Sequence, residues 1–186
     1  MKNDLAFEDY SKLIKSGLNT VSKIELDNAV EIIYETTKHS GQIWLIGNGG
    51  SAATASHFAT DLSRCAGENM QPIKAISLCD NLGLVTAIGN DFSFDDIFIK
   101  QLQNLGKSGD LLISISASGN SRNLIKAVEF ANAFSISTLS LVGFDGGAIR
   151  QLSNNSIYVQ TAIGDYGIAE DCHSIICHFI SSKLRG

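Results

Sequence analysis

Two short polar stretches in this 186-residue chain carry the residue types that hold phosphate groups. The first, Gly47-Asn48-Gly49-Gly50-Ser51, lies between an apolar β-like run, Gln42–Ile46, and a helix-like run from Ser51 to Arg64. Glycine lets backbone approach a ligand closely, and the free N–H groups at a helix start favour an anion. The pentapeptide alone reads equally well as an ordinary tight turn. The second stretch, Ser116-Ala117-Ser118-Gly119-Asn120-Ser121, also stands between a strand-like and a helix-like run. A helix needs one N-cap residue, whereas this loop offers four polar ones, a pattern suited to surrounding a phosphate with neutral donors. No Lys stands in GxxxxGK[ST] spacing, which excludes a nucleoside triphosphate loop. The GxGxxG dinucleotide fingerprint with its acidic partner is missing as well.

Two further groups have the makings of acid–base or metal chemistry. His57 and Asp61 are four residues apart on the helix after the glycine turn, hence on one face. That spacing suits metal ligation, an acid/base pair or a surface ion pair. Near the C-terminus, Glu170, Asp171, His173 and His178 cluster in an otherwise apolar helix, where His173 also reads as a core or interface histidine. Glu170 and His178 are eight residues apart, about 12 Å along a regular helix. They can share one metal only if Glu170 precedes the helix or if the two come from different subunits. Asn90-Asp91, after Thr86-Ala87-Ile88-Gly89, reads as a loop, either a plain turn or a contact for a substrate hydroxyl.

These residues need a frame. From Leu5 to His39 apolar residues recur at helical intervals, with a break near Asn19–Ser22 and Ser22 placed to cap a second helix. Beyond that the chain alternates. Gln42–Ile46, Ile73–Leu78, Leu111–Ser116, Ser137–Val142 and Ser156–Val159 read as strands. Ser51–Arg64, Asn81–Ile88, Asp95–Leu105, Ser121–Phe134, Asp145–Leu152 and Ile168–Leu184 read as helices. Strands apolar throughout, separated by helices, predict one α/β domain built on a doubly wound, five-stranded parallel sheet covered on both faces. Residues 1–39 form its N-terminal helical extension and residues 40–186 its core. In such sheets ligands bind beyond the carboxyl ends of the strands, where both polar stretches fall.

With 44% hydrophobic and 18% charged residues the chain is globular, and its net charge of −5 argues against non-specific binding to nucleic acid or anionic membrane. No apolar run approaches the roughly 18 residues of a membrane span, and no apolar stretch follows Met1–Asp4. Cys65, Cys79, Cys172 and Cys177 lack zinc-ribbon or CxxC spacing, so reduced thiols in a cytoplasmic protein are expected.

Taken together, Gly47–Ala53 with His57-Phe58-Ala59, Thr86–Phe92, Ser116–Ser121 and the His173/His178 pair resemble the phosphoheptose isomerases of the sugar isomerase (SIS) domain superfamily. The resemblance covers nearly the whole chain. It implies a flavodoxin-like SIS fold and a cytoplasmic homotetramer with active sites at subunit interfaces and one Zn2+ per site. The implied reaction converts sedoheptulose 7-phosphate to D-glycero-D-manno-heptose 7-phosphate through an enediol, the first step of bacterial nucleotide-heptose supply. By the same resemblance Ser51, Ser116, Ser118 and Ser121 hold the phosphate beside Ala117. Asn48, Gly49, Gly50, Asn90, Asp91 and Glu170 contact the substrate, and His57, Asp61, Glu170 and His178 take the metal-ligand positions. Asp61 would be the base and His178 its partner acid.

The chain departs from the family pattern in four places. Asp61 replaces a Glu, Glu170 replaces a Gln, Cys65 stands where an Arg is expected, and Asp165–Asp171 lacks the Thr-x-Arg-Ile-Gln-Glu run. These mark a divergent branch. Two alternatives therefore stay open: an isomerase of another phosphosugar, and a non-catalytic SIS-domain binding protein like the relative that associates with the bacterial replication initiator.

Overall fold

In a computed structural model that describes residues 5–65 and 71–185, the N-terminal periodicity resolves into α1 (Phe7–Leu18) and α2 (Lys23–Lys38). Ser22 occupies the N-cap position of α2, although its hydroxyl makes no capping bond. Tyr10 on α1 donates its hydroxyl to Asp171 Oδ2 at 2.7 Å and so ties this extension to the C-terminal helix. Met1–Asp4, read as the start of a chain without an apolar leader, lie outside the described residues.

The five expected strands form: β1 (Gln42–Gly47), β2 (Lys74–Ser77), β3 (Leu111–Ser116), β4 (Ser137–Val142) and β5 (Asn155–Tyr158). All pair in parallel, in the order β2-β1-β3-β4-β5. The chain leaves β1 toward β2 on one side and returns to β3 on the other. That reversal opens a crevice beyond the carboxyl ends of β1 and β3. The connecting helices are α3 (Gly50–Ser63), α4 (Leu82–Asp91), α5 (Ile99–Leu105), α6 (Arg122–Ala133), α7 (Gly147–Leu152) and α8 (Tyr166–Leu184).

Alternate strand residues feed two cores. Ile43, Leu45, Ile113 and Leu139 pack with Phe58 and Leu62 of α3 and with Ile176 and Ile180 of α8. Trp44, Ile46, Leu112 and Val142 pack against Leu102 of α5, Leu124 and Val128 of α6 and Ile149 of α7. Burial on both faces explains why the strands read as unbroken apolar runs.

Two expectations need correction. Asp95–Leu105 is not one helix: a 3-10 turn at Phe94–Asp96 precedes α5, pinned where Ser93 and Lys126 both hold the Asp96 carboxylate. Asn90-Asp91 is not a loop but the last turn of α4. Asn81 Oδ1 caps the Leu84 N–H, and the helix runs through Gly89 until Phe92 N–H closes on Ile88 O.

The amino end of the sheet is closed by one side chain. Asp110, 5% exposed, accepts hydrogen bonds of 2.9 Å from Gln42 N, Trp44 Nε1 and Lys107 N. A buried carboxylate is tolerated when its lone pairs are met in this way. Among the described residues, no helix is long and apolar enough to cross a membrane.

Candidate active site

The carboxyl end of the sheet is built differently. β1 runs out at Gly47, and Gly49 turns the chain with φ 55° and ψ −123°, a conformation that residues with a Cβ rarely adopt. Helix α3 starts at once, placing Ser51 in its first turn, 4% exposed. β3 ends at Ser116, whose Oγ accepts from Gly119 N, and Ser118 Oγ accepts from Asn120 N. Ser121 sits at the N-cap of α6 yet makes no side-chain capping bond. Among the described residues the Ser51 and Ser121 hydroxyls have no hydrogen-bond partner, so both are free to meet a ligand.

Between the two turns lies a cavity of about 80 Å³ that includes Asn48, Ser51, Ser116, Ser118, Ser121 and Glu170 in its lining. Ile115, Ala117 and Tyr166 complete its wall, and among the described residues no Lys, Arg or His lines it. Two helix N-termini and neutral hydroxyls face it, which is the chemistry of a phosphate site without a cation. The one ionisable carboxylate, Glu170, reaches over from α8 and rests on Gly50, where any Cβ would collide with it. Burial, and then the neighbouring Asp171, hold its carboxyl above the usual range. Gly49 and Gly50 are exposed at the rim.

A second group forms where α3 and α8 run side by side. One donor atom each from His57, Asp61 and His178 lies within 4.8 Å of the others. Asp61 Oδ2 is 3.8 Å from His57 Nε2 and 3.8 Å from His178 Nε2, and the two rings meet edge to face at 4.9 Å. Asp61 is buried, whereas the side chains of His57 and His178 are 57% and 53% exposed. Behind the carboxylate, Arg185 Nη2 stands 3.6 Å from Oδ1.

Of the four residues expected at one metal, this arrangement brings together three. Glu170 belongs to the cavity instead, because α8 is continuous from Tyr166 and keeps it about 12 Å along the axis from His178. Asn90 and Asp91 are exposed at the end of α4, where Asn90 Nδ2 donates to Asp91 Oδ1 at 3.0 Å, and they do not line the cavity of their own copy. His173 is fully buried with neither ring nitrogen hydrogen-bonded among the described residues, and burial, opposed in part by the Val142 backbone, lowers its pKa to about 4. Cys65, buried beside this group, points its Sγ at Asp61 O. Tyr166 and Arg185 escaped the sequence reading. Tyr166 has no motif to announce it, and Arg185 reaches Asp61 from a position 124 residues away in sequence.

The SIS domain family matches residues 6–143 of the chain. A phosphoheptose isomerase of Campylobacter concisus is 36% identical over 190 residues, covering 100% of this chain and 97% of the relative. A phosphoheptose isomerase structure from Neisseria gonorrhoeae superposes with a TM-score of 0.85 at 30% identity, over 96% of this chain and 94% of the other. One from Francisella tularensis gives 0.84 at 27% identity, over 96% and 93%.

Proposed function

The chain belongs to the phosphoheptose isomerases, a family of SIS-domain enzymes, and we propose that it interconverts sedoheptulose 7-phosphate and D-glycero-D-manno-heptose 7-phosphate. The observation that carries this reading is the single cavity into which both polar turns open, with Ser51 and Ser121 hydroxyls unengaged at two helix starts. The phosphate is held there by Ser51, Ser116, Ser118 and Ser121 and by backbone N–H groups, Ala117 among them. Asn90, Asp91, Gly49, Gly50 and Glu170 serve the sugar.

The isomerisation moves one proton between C1 and C2 through an enediol. Asp61 takes the proton from the carbon bearing the hydroxyl and returns it to its neighbour, while His178 donates to the carbonyl oxygen and recovers its proton from the hydroxyl. Two imidazoles and a carboxylate with donor atoms this close fit a zinc ion, which His57, Asp61 and His178 would hold through one atom each, leaving the second Asp61 oxygen and the second His178 ring nitrogen for proton transfer. Such an ion would polarise the substrate's oxygens as a Lewis acid.

Within one copy the Asp61 group stands apart from the cavity and its histidines face outward. We therefore read the enzyme as a homotetramer in which the Asp61 group of one copy completes the cavity of another. Glu170 would then be the fourth residue able to hold the ion, from across that interface. The four cysteines are free, as suits a cytoplasmic protein.

A coupled assay on sedoheptulose 7-phosphate, with metal content measured on the same sample, tests the reading. Turnover by zinc-loaded protein is the expected result, and a folded, metal-loaded tetramer without turnover contradicts it. Glu170 motivates a second reading, a different phosphosugar, since it brings a negative charge to the cavity wall. A panel of phosphorylated ketoses and aldoses separates the two. A purely binding role has no use for the Asp61 group.

A further inference from the structure

The two turns of the cavity come from segments 75 residues apart, and one pair of side chains joins them. Asn48 Nδ2 donates to Asn123 Oδ1 at 2.9 Å, and Asn123 Nδ2 donates back to Asn48 Oδ1 at 2.8 Å. Asn123 lies in the first turn of α6 and is 2% exposed. Its Oδ1 also accepts from Leu124 N at 3.0 Å. That last bond bears on the cavity. The Leu124 N–H is the donor an N-cap hydroxyl would ordinarily take, and the N-cap here is Ser121. Because the Asn123 amide and the Ser121 carbonyl, at 3.1 Å, share that N–H, the Ser121 hydroxyl is left without a capping bond.

We propose that Asn123 is a positioning residue that clamps the glycine turn to the serine loop, and that the side chain of Asn48 serves this clamp rather than the substrate. This rests on the reading of the two turns as the phosphate site. A reciprocal amide pair fixes separation and orientation at once, since each partner both donates and accepts. Burial of Asn123 makes the pair costly to break, because removing Asn48 strands the Asn123 amide away from water. The α3 and α6 helix starts, each carrying an unengaged hydroxyl, are thereby held at one spacing before any ligand arrives. Preorganisation of this kind appears in substrate affinity more than in the chemical step, for which the Asp61 group supplies the reacting side chains.

The test is a mutant cycle of Asn48→Ala, Asn123→Ala and the double variant. It reads KM and kcat on sedoheptulose 7-phosphate and the competitive inhibition constant of inorganic phosphate. Each single variant is expected to raise KM and the phosphate constant by roughly tenfold, with a smaller fall in kcat. The double variant is expected to match either single one, because the two residues act as a unit. Additive effects overturn the clamp. So does Asn48→Ala weakening binding while Asn123→Ala does not, which would put the Asn48 amide on the substrate. Should Asn123→Ala fail to fold, Asn123→Ser takes its place in the cycle, since it keeps a side-chain oxygen near the Leu124 N–H. Wild-type protein that phosphate does not inhibit overturns the phosphate site itself. Phosphate inhibiting wild type and Asn123→Ala alike overturns only the clamp.

Discussion

Asp110 and Asp61 are both buried carboxylates, and they are finished to different degrees. Asp110, at the amino end of the sheet, has three N–H donors at 2.9 Å, with both carboxylate oxygens engaged. Asp61 accepts no hydrogen bond at its carboxylate among the described residues. It faces two imidazoles at 3.8 Å and a guanidinium at 3.6 Å, all beyond hydrogen-bonding range. A satisfied buried group stabilises the fold, while an unsatisfied one is explained by what it waits for. At Asp61 the gaps leave room for a cation or a reacting atom, and the half-exposed histidines leave the group open on its outer side.

Replacing each aspartate should separate the two roles. Asp61→Asn removes the proposed base and is expected to lower kcat/KM by about 10²–10⁴-fold. Its unfolding free energy should stay within about 1 kcal/mol of wild type by denaturant titration, since the three pairings lost, with His57, His178 and Arg185, are long and have half-exposed partners. A full-rate variant would remove Asp61 from the chemistry. Asp110→Ala should show the reverse. It strands three donors and is expected to cost about 3 kcal/mol or more of stability, while the folded fraction keeps its kcat.

His173 extends the contrast to a buried group whose ring nitrogens have no hydrogen-bond partner within normal geometry among the described residues. Its folded pKa of about 4 lies below the unfolded value near 6.5, so between those values the unfolded chain binds the extra proton. Stability is therefore full above about pH 6.5 and falls as pH drops toward 4, by up to roughly 3 kcal/mol. His173→Leu should flatten that part of the stability profile. The smallest expected effect concerns Arg185, a fixed positive charge beside Asp61. Arg185→Gln should tighten zinc binding about three- to tenfold in competition with a chromophoric chelator, because like charges repel. Weaker binding would instead assign Arg185 to orienting the carboxylate.

The strands were legible because both of their faces are buried, and the two turns because glycine and serine interrupt apolar runs at strand ends. The spacing of Glu170 and His178 already implied that one copy cannot bring them together on a regular helix. What sequence could not convey was long-range pairing. Asp110 reads as a turn residue until Gln42 and Trp44 arrive from 68 and 66 positions away. Asn123 looks like any polar residue in a helix's first turn until Asn48 is placed opposite. The polar pair Asn90-Asp91, with few packing residues around it, reads as a loop, yet the capped α4 runs through it. The carry-over of Arg from the family pattern failed at Cys65, whereas a guanidinium does reach Asp61 from the far end of α8.

The central claim is that the unfinished Asp61 group of one copy acts on substrate held in the cavity of another. Subunit complementation tests it most directly, by mixing Asp61→Asn chains with Ser51→Ala/Ser121→Ala chains and assaying assemblies shown to contain both. Each variant alone should be nearly inactive, and random mixing should restore about a quarter of wild-type activity, the share of sites with both parts intact. Verified mixed assemblies with no recovery would contradict the account and place the whole site within a single copy.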